Sequence, residues 1–506
     1  MFSNKLKGSL PILAAVGLLA STCLPYAALA ADESAISTGT TTTELWRKDS
    51  PALPPPRPFV MPAIDSYKLD NGLTVQLLED HRVPFITAEL GIKAGSSRDP
   101  KDMLGLAGIT ADMITEGTAT KKSKEIAQEV DYIGGGLHAA ADADFTLLVG
   151  SSLSKYTDRL FNIMSDVVLN PSFPQDELKL NKTNLLQELI MKRSEPDFLV
   201  NESFSKQVFG DHPYAIIAPK PETVQRITQK DLEDFHAKYY VPNEAILIVV
   251  GDFDKAAMKD KIAAAFGDKW KSGTVETAEM PAAPKQEGVH IYLIDRPGSV
   301  QSSIKIGNIA IKKSDPDFFP LLVTNQILGG AAHSRLFVNI REEKGYTYGA
   351  YSSFAARKDP GAFAATAEVR TDVTSPSLQE FFYELERIRN VKASDKELQD
   401  AKMYLAGSFQ LGLETQAGLA QRLLEVQLYD LPADYLATYA DKVMAVTPDD
   451  VRRVARKDID ANDFVISVVG DANKIKSDLE YFAPVQVFDT SGNLVKGTAS
   501  SSKPGA

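Results

Sequence analysis

Cysteine is almost absent: the 506 residues contain one, Cys23. It lies in a leader. Lys5 and Lys7 precede the apolar run Leu10 to Ala20, and Ala28 and Ala30 place small residues at −3 and −1 of a cleavage site. That pattern reads as a secretory signal peptide over residues 1–30, since the apolar run is shorter than the roughly 20 residues of a membrane span. Cleavage near Ala30 removes Cys23, leaving neither a disulfide nor a cysteine-based metal site. The expected location is periplasmic or secreted. No later run approaches transmembrane length, so no membrane span is expected. Excess positive charge is also lacking: 67 Asp and Glu against 55 Lys and Arg give a net charge of −12 and a pI near 5.2. An acidic surface argues against nucleic acid and anionic lipid as partners. Histidine is scarce, with six residues at 81, 138, 212, 236, 290 and 333. None stands three or four residues from another, so no helix presents a two-histidine grip for a metal ion. His138, on an expected strand after the turn Gly134–Gly136, is the one best placed for a role.

What is present is a duplicated chain too long for one ordinary core. "ITQKDLEDFHAKYYVPNEAILIVVGDF" from Ile227 reappears as "VTPDDVRRVARKDIDANDFVISVVGDA" from Val446. Thr228 and Thr447 are 219 residues apart, as are Gly251 and Gly470. An ungapped helix–turn–strand–Gly-Asp pattern at one offset indicates two similar halves. Residues 31–59, with "TGTTTT" and "PALPPPRP", read as an extended arm. Residues 60–270 and 289–489 form the two halves, joined by a polar, Pro/Ala-rich linker at 271–288. Residues 490–506 read as a disordered tail.

Each half reads as α+β. The first has a hairpin around Asn71-Gly72, helices at about 103–116 and 121–133, strands at about 137–151, helices at about 155–169 and 174–207, and a helix at 228–240 leading into strand 245–250. The second repeats the order, with strands near 290–294 and 302–310, helices near 316–328 and 334–343, strands near 347–370, then helices to about 458 and a strand at 464–469. Pairing is expected to be mostly antiparallel, beside clustered helices.

Four phrases in order carry a resemblance: "GLAGITADMITEGT", "LLQELIMKR", "GDHPYAIIAPKPETVQRITQKDLEDFHAKYYVPNEAILIVVGDF" and "LGGAAHSRLFVNIREEKGYTYGAYSSF". Over about residues 60–485 the chain resembles the pitrilysin/insulinase superfamily of zinc peptidases, the inverzincins. It is also similar to the mitochondrial processing peptidase subunits and the core proteins of respiratory complex III. The resemblance implies two homologous halves, each of two similar α/β-layered subdomains, in a clamshell chamber. The inverted zinc motif, His-x-x-Glu-His on a helix, falls on Gly108 through Asp112. Its first histidine falls on Gly108, its glutamate on Ala111 and its second histidine on Asp112, while the later carboxylate ligand matches Glu188. Glycine and alanine can neither ligate nor move a proton, and two carboxylates are a poor zinc site. No catalytic residue and no metal are therefore expected in this chain alone. The helix keeps a packing role through Leu106, Ile109 and Met113.

In the superfamily, an arginine at a helix end and a tyrosine seven residues later bind the substrate backbone and stabilise the transition state. They match Arg341 and Tyr348. A guanidinium offers a planar fork to peptide carbonyls, and a phenol can donate to a forming oxyanion. Read without the family, Arg341 would bridge to Glu342 or Glu343, and Tyr348 would be a core side chain. The resemblance implies a zinc-free subunit that completes a chamber with a homologous partner carrying zinc, and that acts on unstructured peptides. The alternatives are an inert scaffold or peptide-binding module, and an independent enzyme using Asp112 and Glu188 with an unusual metal.

Overall fold

A computed structural model describes residues 60–276 and 279–495. The expected signal peptide, the arm and most of the tail lie outside the described residues. Two six-stranded sheets organise the chain. The first contains β1 (Asp65–Lys68), β2 (Thr74–Glu79), β3 (Phe85–Ile92), β4 (Gly136–Ala141), β5 (Thr146–Leu153) and β6 (Ala245–Gly251), in the order β1-β2-β6-β3-β5-β4. The second contains β7 (His290–Asp295), β8 (Gln301–Ile309), β9 (Thr347–Phe354), β10 (Ala362–Arg370), β11 (Val465–Gly470) and β12 (Val485–Phe488), in the order β12-β7-β11-β8-β10-β9. The inner strands correspond one to one. Only β2 with β6, β7 with β11 and β7 with β12 pair in parallel; the other pairs are antiparallel. One edge differs, since β1 precedes the first sheet as one arm of a hairpin and β12 joins the second from the C-terminal side, whereas β4 and β9 match at the other edge. The α+β class and the two halves are as expected. Each half, however, is built on one sheet rather than on two layered subdomains, because its six strands pair into a single ladder.

Three local differences stand out. The single helix expected over 174–207 is two, Gln175–Lys192 and Pro196–Phe209. Pro196 lacks an N–H and so opens the second helix at its first turn. The helix expected over 334–343 is π-helical from Phe337 to Glu343. The first residues of the expected tail are ordered: Asp489 accepts from the backbone of Ser491 and Asn493, and Val495 N donates to Val487 O, folding the chain back on β12.

The apolar strand β6 shows how the halves are joined. Its alternate residues serve two cores, because side chains in a strand point to opposite faces. Leu247 and Val249 pack with helices of their own half. Ile246, Ile248 and Val250 join the core of the second half, where the helix Gln416–Leu428 covers them. The converse holds on β11. Ile466 and Val468 face their own helices, whereas Val465 and Val469 pack under the helix Pro196–Phe209 of the first half. Each half thus covers one face of the other's sheet with an equivalent helix. The helix Pro196–Phe209 buries Phe198, Leu199, Val200, Phe204, Val208 and Phe209 in this way. At roughly 1.5–3 kcal/mol per side chain, the gross gain is on the order of 10 kcal/mol.

One carboxyl sits under this exchanged packing. Glu89 of β3 is 6% exposed and shares its face with Gly91, where a Cβ would run into Leu424 and Leu428 of the helix Gln416–Leu428. Among the described residues no cation lies within ion-pair distance of it, and burial pushes its carboxyl up to about 7. Lys305, at the corresponding place in β8, instead donates to Asn201 of the helix Pro196–Phe209. Folding therefore binds a proton at Glu89 between an ordinary glutamate pKa and about 7. The burden of ionising Glu89 is absent below pH 4.5 and complete above pH 7, so it lowers stability as pH rises through that window. Glu89→Gln is expected to raise stability at pH 8 by about 2 kcal/mol and to change it far less at pH 5. Urea midpoints at the two pH values check this; equal gains at both would contradict it.

Candidate functional site

The helix Leu106–Met113 is set by its neighbours. Gly105 precedes it at φ 100°, a conformation that favours glycine. Asp99 closes its start, with Oδ2 accepting from Gly105 N at 2.7 Å and Oδ1 from Ala107 N at 2.8 Å. Burial nonetheless pushes the Asp99 carboxyl up to about 6, against the pull of those N–H groups. Leu106, Ile109 and Met113 are buried as expected, and so are Ala107, Thr110 and Ala111. The two positions left open are Gly108 and Asp112, one turn apart. A Cβ at Gly108 would meet nothing within 4 Å, and Asp112 keeps a solvent edge. The face on which the motif's histidines would stand is thus retained as shape, while Ala111 is fully shut from solvent.

The helix Gln175–Lys192 packs beside it. Asn181 Nδ2 donates to Asp112 Oδ2 at 3.0 Å. The Asp112 carboxyl is raised by burial and by the charges of Glu116 and Glu188; Asn181 and the nearby His138 oppose this. Asp112 therefore lies within electrostatic reach of both His138 and Glu188. Glu188 itself is paired with Lys192, at 2.6 Å. Asn181 escaped the sequence reading; its signal is the spacing of seven residues before Glu188, which puts both on one helix face. Among the described residues no group of three or more His, Cys, Asp or Glu is placed to hold a metal ion. The side chains at the motif positions, Gly108, Ala111 and Asp112, do not fit zinc.

The second place is the turn between Arg341 and Tyr348. The π-helical segment Phe337–Glu343 carries Arg341, whose guanidinium lies 5.1 Å over the Phe337 ring. Phe337 in turn packs on Tyr351 with ring centroids 5.5 Å apart. Gly345, at φ 66°, ends the helix, and its N–H donates to Arg341 O at 3.1 Å. Arg370 Nη1 holds the Gly345 carbonyl at 3.0 Å. Among the described residues Arg341 makes no ion pair, so the bridge to Glu342 or Glu343 is not formed. Tyr348 is not a core side chain: it is 91% exposed. A β-bulge sets its direction. Ala367 pairs with Ala350 and Val369 with Thr347, so Tyr348 and Gly349 together oppose the single residue Glu368. Thr347 Oγ1 locks the bulge, donating to Glu368 O at 2.5 Å and accepting from Gly349 N at 3.1 Å. The result is an unpaired guanidinium and an exposed phenol at the two ends of a braced turn. Among the described residues neither of these donors has an acceptor.

Comparison with known proteins identifies the family. The sequence matches the insulinase family (peptidase family M16) over residues 74–222 and the peptidase M16 inactive domain over residues 226–405. It is 25% identical over 419 residues to an uncharacterized zinc protease, YmxG, of Bacillus subtilis, covering 82% of this chain and 100% of that one. The fold superposes on the crystal structure of a peptidase M16 inactive domain from Pseudomonas fluorescens with a TM-score of 0.76 and 27% identity, covering 80% of this chain and 98% of that one. It also superposes on the periplasmic protease PqqL of Escherichia coli with a TM-score of 0.68 and 16% identity, covering 83% of this chain but 50% of that one. With its motif positions emptied of zinc ligands, the chain belongs to the pitrilysin/insulinase superfamily as a non-catalytic peptidase homologue.

Proposed function

We propose that this protein is the zinc-free subunit of a periplasmic, two-chain zinc metallo-endopeptidase, and that it binds unstructured peptides through Arg341 and Tyr348. The observation that carries the reading is the contrast between the two places. The motif helix carries Gly108 and Ala111 where a zinc ligand and a catalytic glutamate would stand, with Asp112 left as a lone carboxylate, whereas among the described residues Arg341 makes no ion pair and Tyr348 is 91% exposed. Donors without acceptors suit a ligand rich in carbonyl groups, and an extended peptide is such a ligand. The match to half of a longer fold neighbour supports a chamber with a second half elsewhere. A homologous partner bearing His-x-x-Glu-His supplies that half together with its zinc. The signal-peptide pattern read over residues 1–30 supports a periplasmic location.

Tagged chain isolated from its native periplasm is expected to bring down such a partner at near-equal stoichiometry, identified by mass spectrometry. Peptidase activity is expected in the pair and not in the single chain. Recovery of the chain alone or as a homodimer would reject the subunit reading and favour a scaffold.

A further inference from the structure

Beside Tyr348 lies a cavity of about 350 Å³, between the helix Pro196–Phe209 and strands β8, β9 and β10. That is near the lower end of the roughly 300–1,000 Å³ usual for ligand sites, and suits one long side chain. Val200 and Ile304 give it an apolar wall, Tyr348 and Tyr351 two aromatic ones, and Asp197 and Glu368 two carboxylates. We propose that this cleft is a subsite for a basic side chain, lysine or arginine, of a bound peptide. The proposal rests on the peptide-binding reading above and adds the class of side chain recognised.

The bulge is what makes the cleft. Placing Tyr348 and Gly349 opposite one residue turns Tyr348 outward and leaves Glu368 exposed. Among the described residues the Glu368 carboxylate has one long contact, Ser303 Oγ to Oε1 at 3.5 Å. Asp197 Oδ2 accepts from Asn201 Nδ2 at 3.0 Å. Behind Asn201 stands Lys305, bonded to Asn201 Oδ1 and seated 5.1 Å over the Phe204 ring. Lys305 offsets part of the charge of Asp197 from inside the helix–sheet seam and does not enter the cleft. Among the described residues neither carboxylate has a cation within 4 Å. A metal ion is a poorer occupant, since two carboxylates are not joined there by a third ligating side chain. A neutral apolar side chain would strip water from both carboxylates without replacing it. An ammonium or guanidinium group replaces that water with charge-assisted hydrogen bonds and rests on the phenol faces.

The test uses the full chain and a pair of labelled, unstructured peptides identical except for one residue, arginine in one and citrulline in the other. Citrulline keeps the shape and removes the charge. Fluorescence polarisation is expected to show the arginine peptide binding more tightly by on the order of tenfold, with the gap narrowing as salt rises. Glu368→Gln with Asp197→Asn is expected to erase the gap and leave citrulline binding as it was. Glu368→Gln alone, at an exposed site, is expected to reduce the gap several-fold, and serves if the double variant fails to fold. Equal binding of the two peptides by the native chain overturns the subsite and leaves the peptide-binding reading intact. Binding of neither overturns both.

Discussion

On the proposed function, Tyr348→Phe is expected to lower the turnover of the two-chain peptidase by about 10²–10³-fold, the usual effect of removing one oxyanion donor. The phenol hydroxyl is the single atom lost. Because Tyr348 is 91% exposed and its direction is set by the bulge rather than by its own contacts, the fold should not register the change. Melting is expected to stay within about 0.5 kcal/mol of the native complex. Arg341→Ala is expected to act differently. A guanidinium on a peptide carbonyl binds ground state and transition state alike, so its loss should appear chiefly in KM. Initial rates on an unstructured peptide, with native partner present at saturation, separate the two effects. Native kinetics in the Arg341→Ala, Tyr348→Phe double variant would show that these side chains take no part, and would leave the chain as a scaffold.

Arg335→Ala is the substitution expected to cost the most stability, about 2–4 kcal/mol. The Arg335 side chain is 5% exposed, and it meets Glu397 through two bonds, Nε to Oε1 at 2.7 Å and Nη2 to Oε2 at 3.2 Å. Glu397 also completes the cap of the helix Asp395–Gly412, accepting from Ser394 N and Oγ, both at 2.8 Å. Removing the guanidinium leaves a carboxylate partly out of water with only its cap partners. Burial pushes the Glu397 carboxyl up, but Arg335 and Ser394 outweigh it and bring it down to about 2. A lowered carboxyl adds stability that is complete above the ordinary glutamate pKa and lost as pH falls toward 2. The gap between native protein and Arg335→Ala should therefore be full at pH 7 and smaller at pH 3, as read from urea midpoints. An undiminished gap at pH 3 would mean that packing of the arginine stem, not its charge, carries the effect.

Much of the architecture was legible because it is written in short-range signals. The Thr-x-x-Asp starts at Thr228 and Thr447 are capping boxes in both halves, and the apolar runs after them are β6 and β11. Gly345 ends its helix in the left-handed region, as its position announced. Pro196 was equally visible, and reading one helix across it gave too little weight to the missing N–H. The emptied motif was plain from residue types alone, since no environment makes glycine or alanine a ligand.

Other features had no local signature. The run Phe198-Leu199-Val200 says that a helix is buried, yet nothing in it says that the sheet it covers belongs to the other half. Asn181 became a partner of Asp112 only when two helices were laid side by side. The bulge at Tyr348 depends on register with β10, which alternation along β9 does not encode.

By itself, then, the sequence determined the duplication, the α+β class, the loss of the zinc motif and the identity of the two candidate binding side chains. Periodicity, caps and residue chemistry act over a few residues and survive in one dimension. The tertiary structure alone decided that each half covers the other's sheet, that Gly108 and Asp112 look outward while Ala111 is shut, and that a bulge turns Tyr348 toward an acidic cleft. Those outcomes follow from which apolar faces meet and in what register, and such meetings between residues far apart in the chain leave no mark on either segment alone.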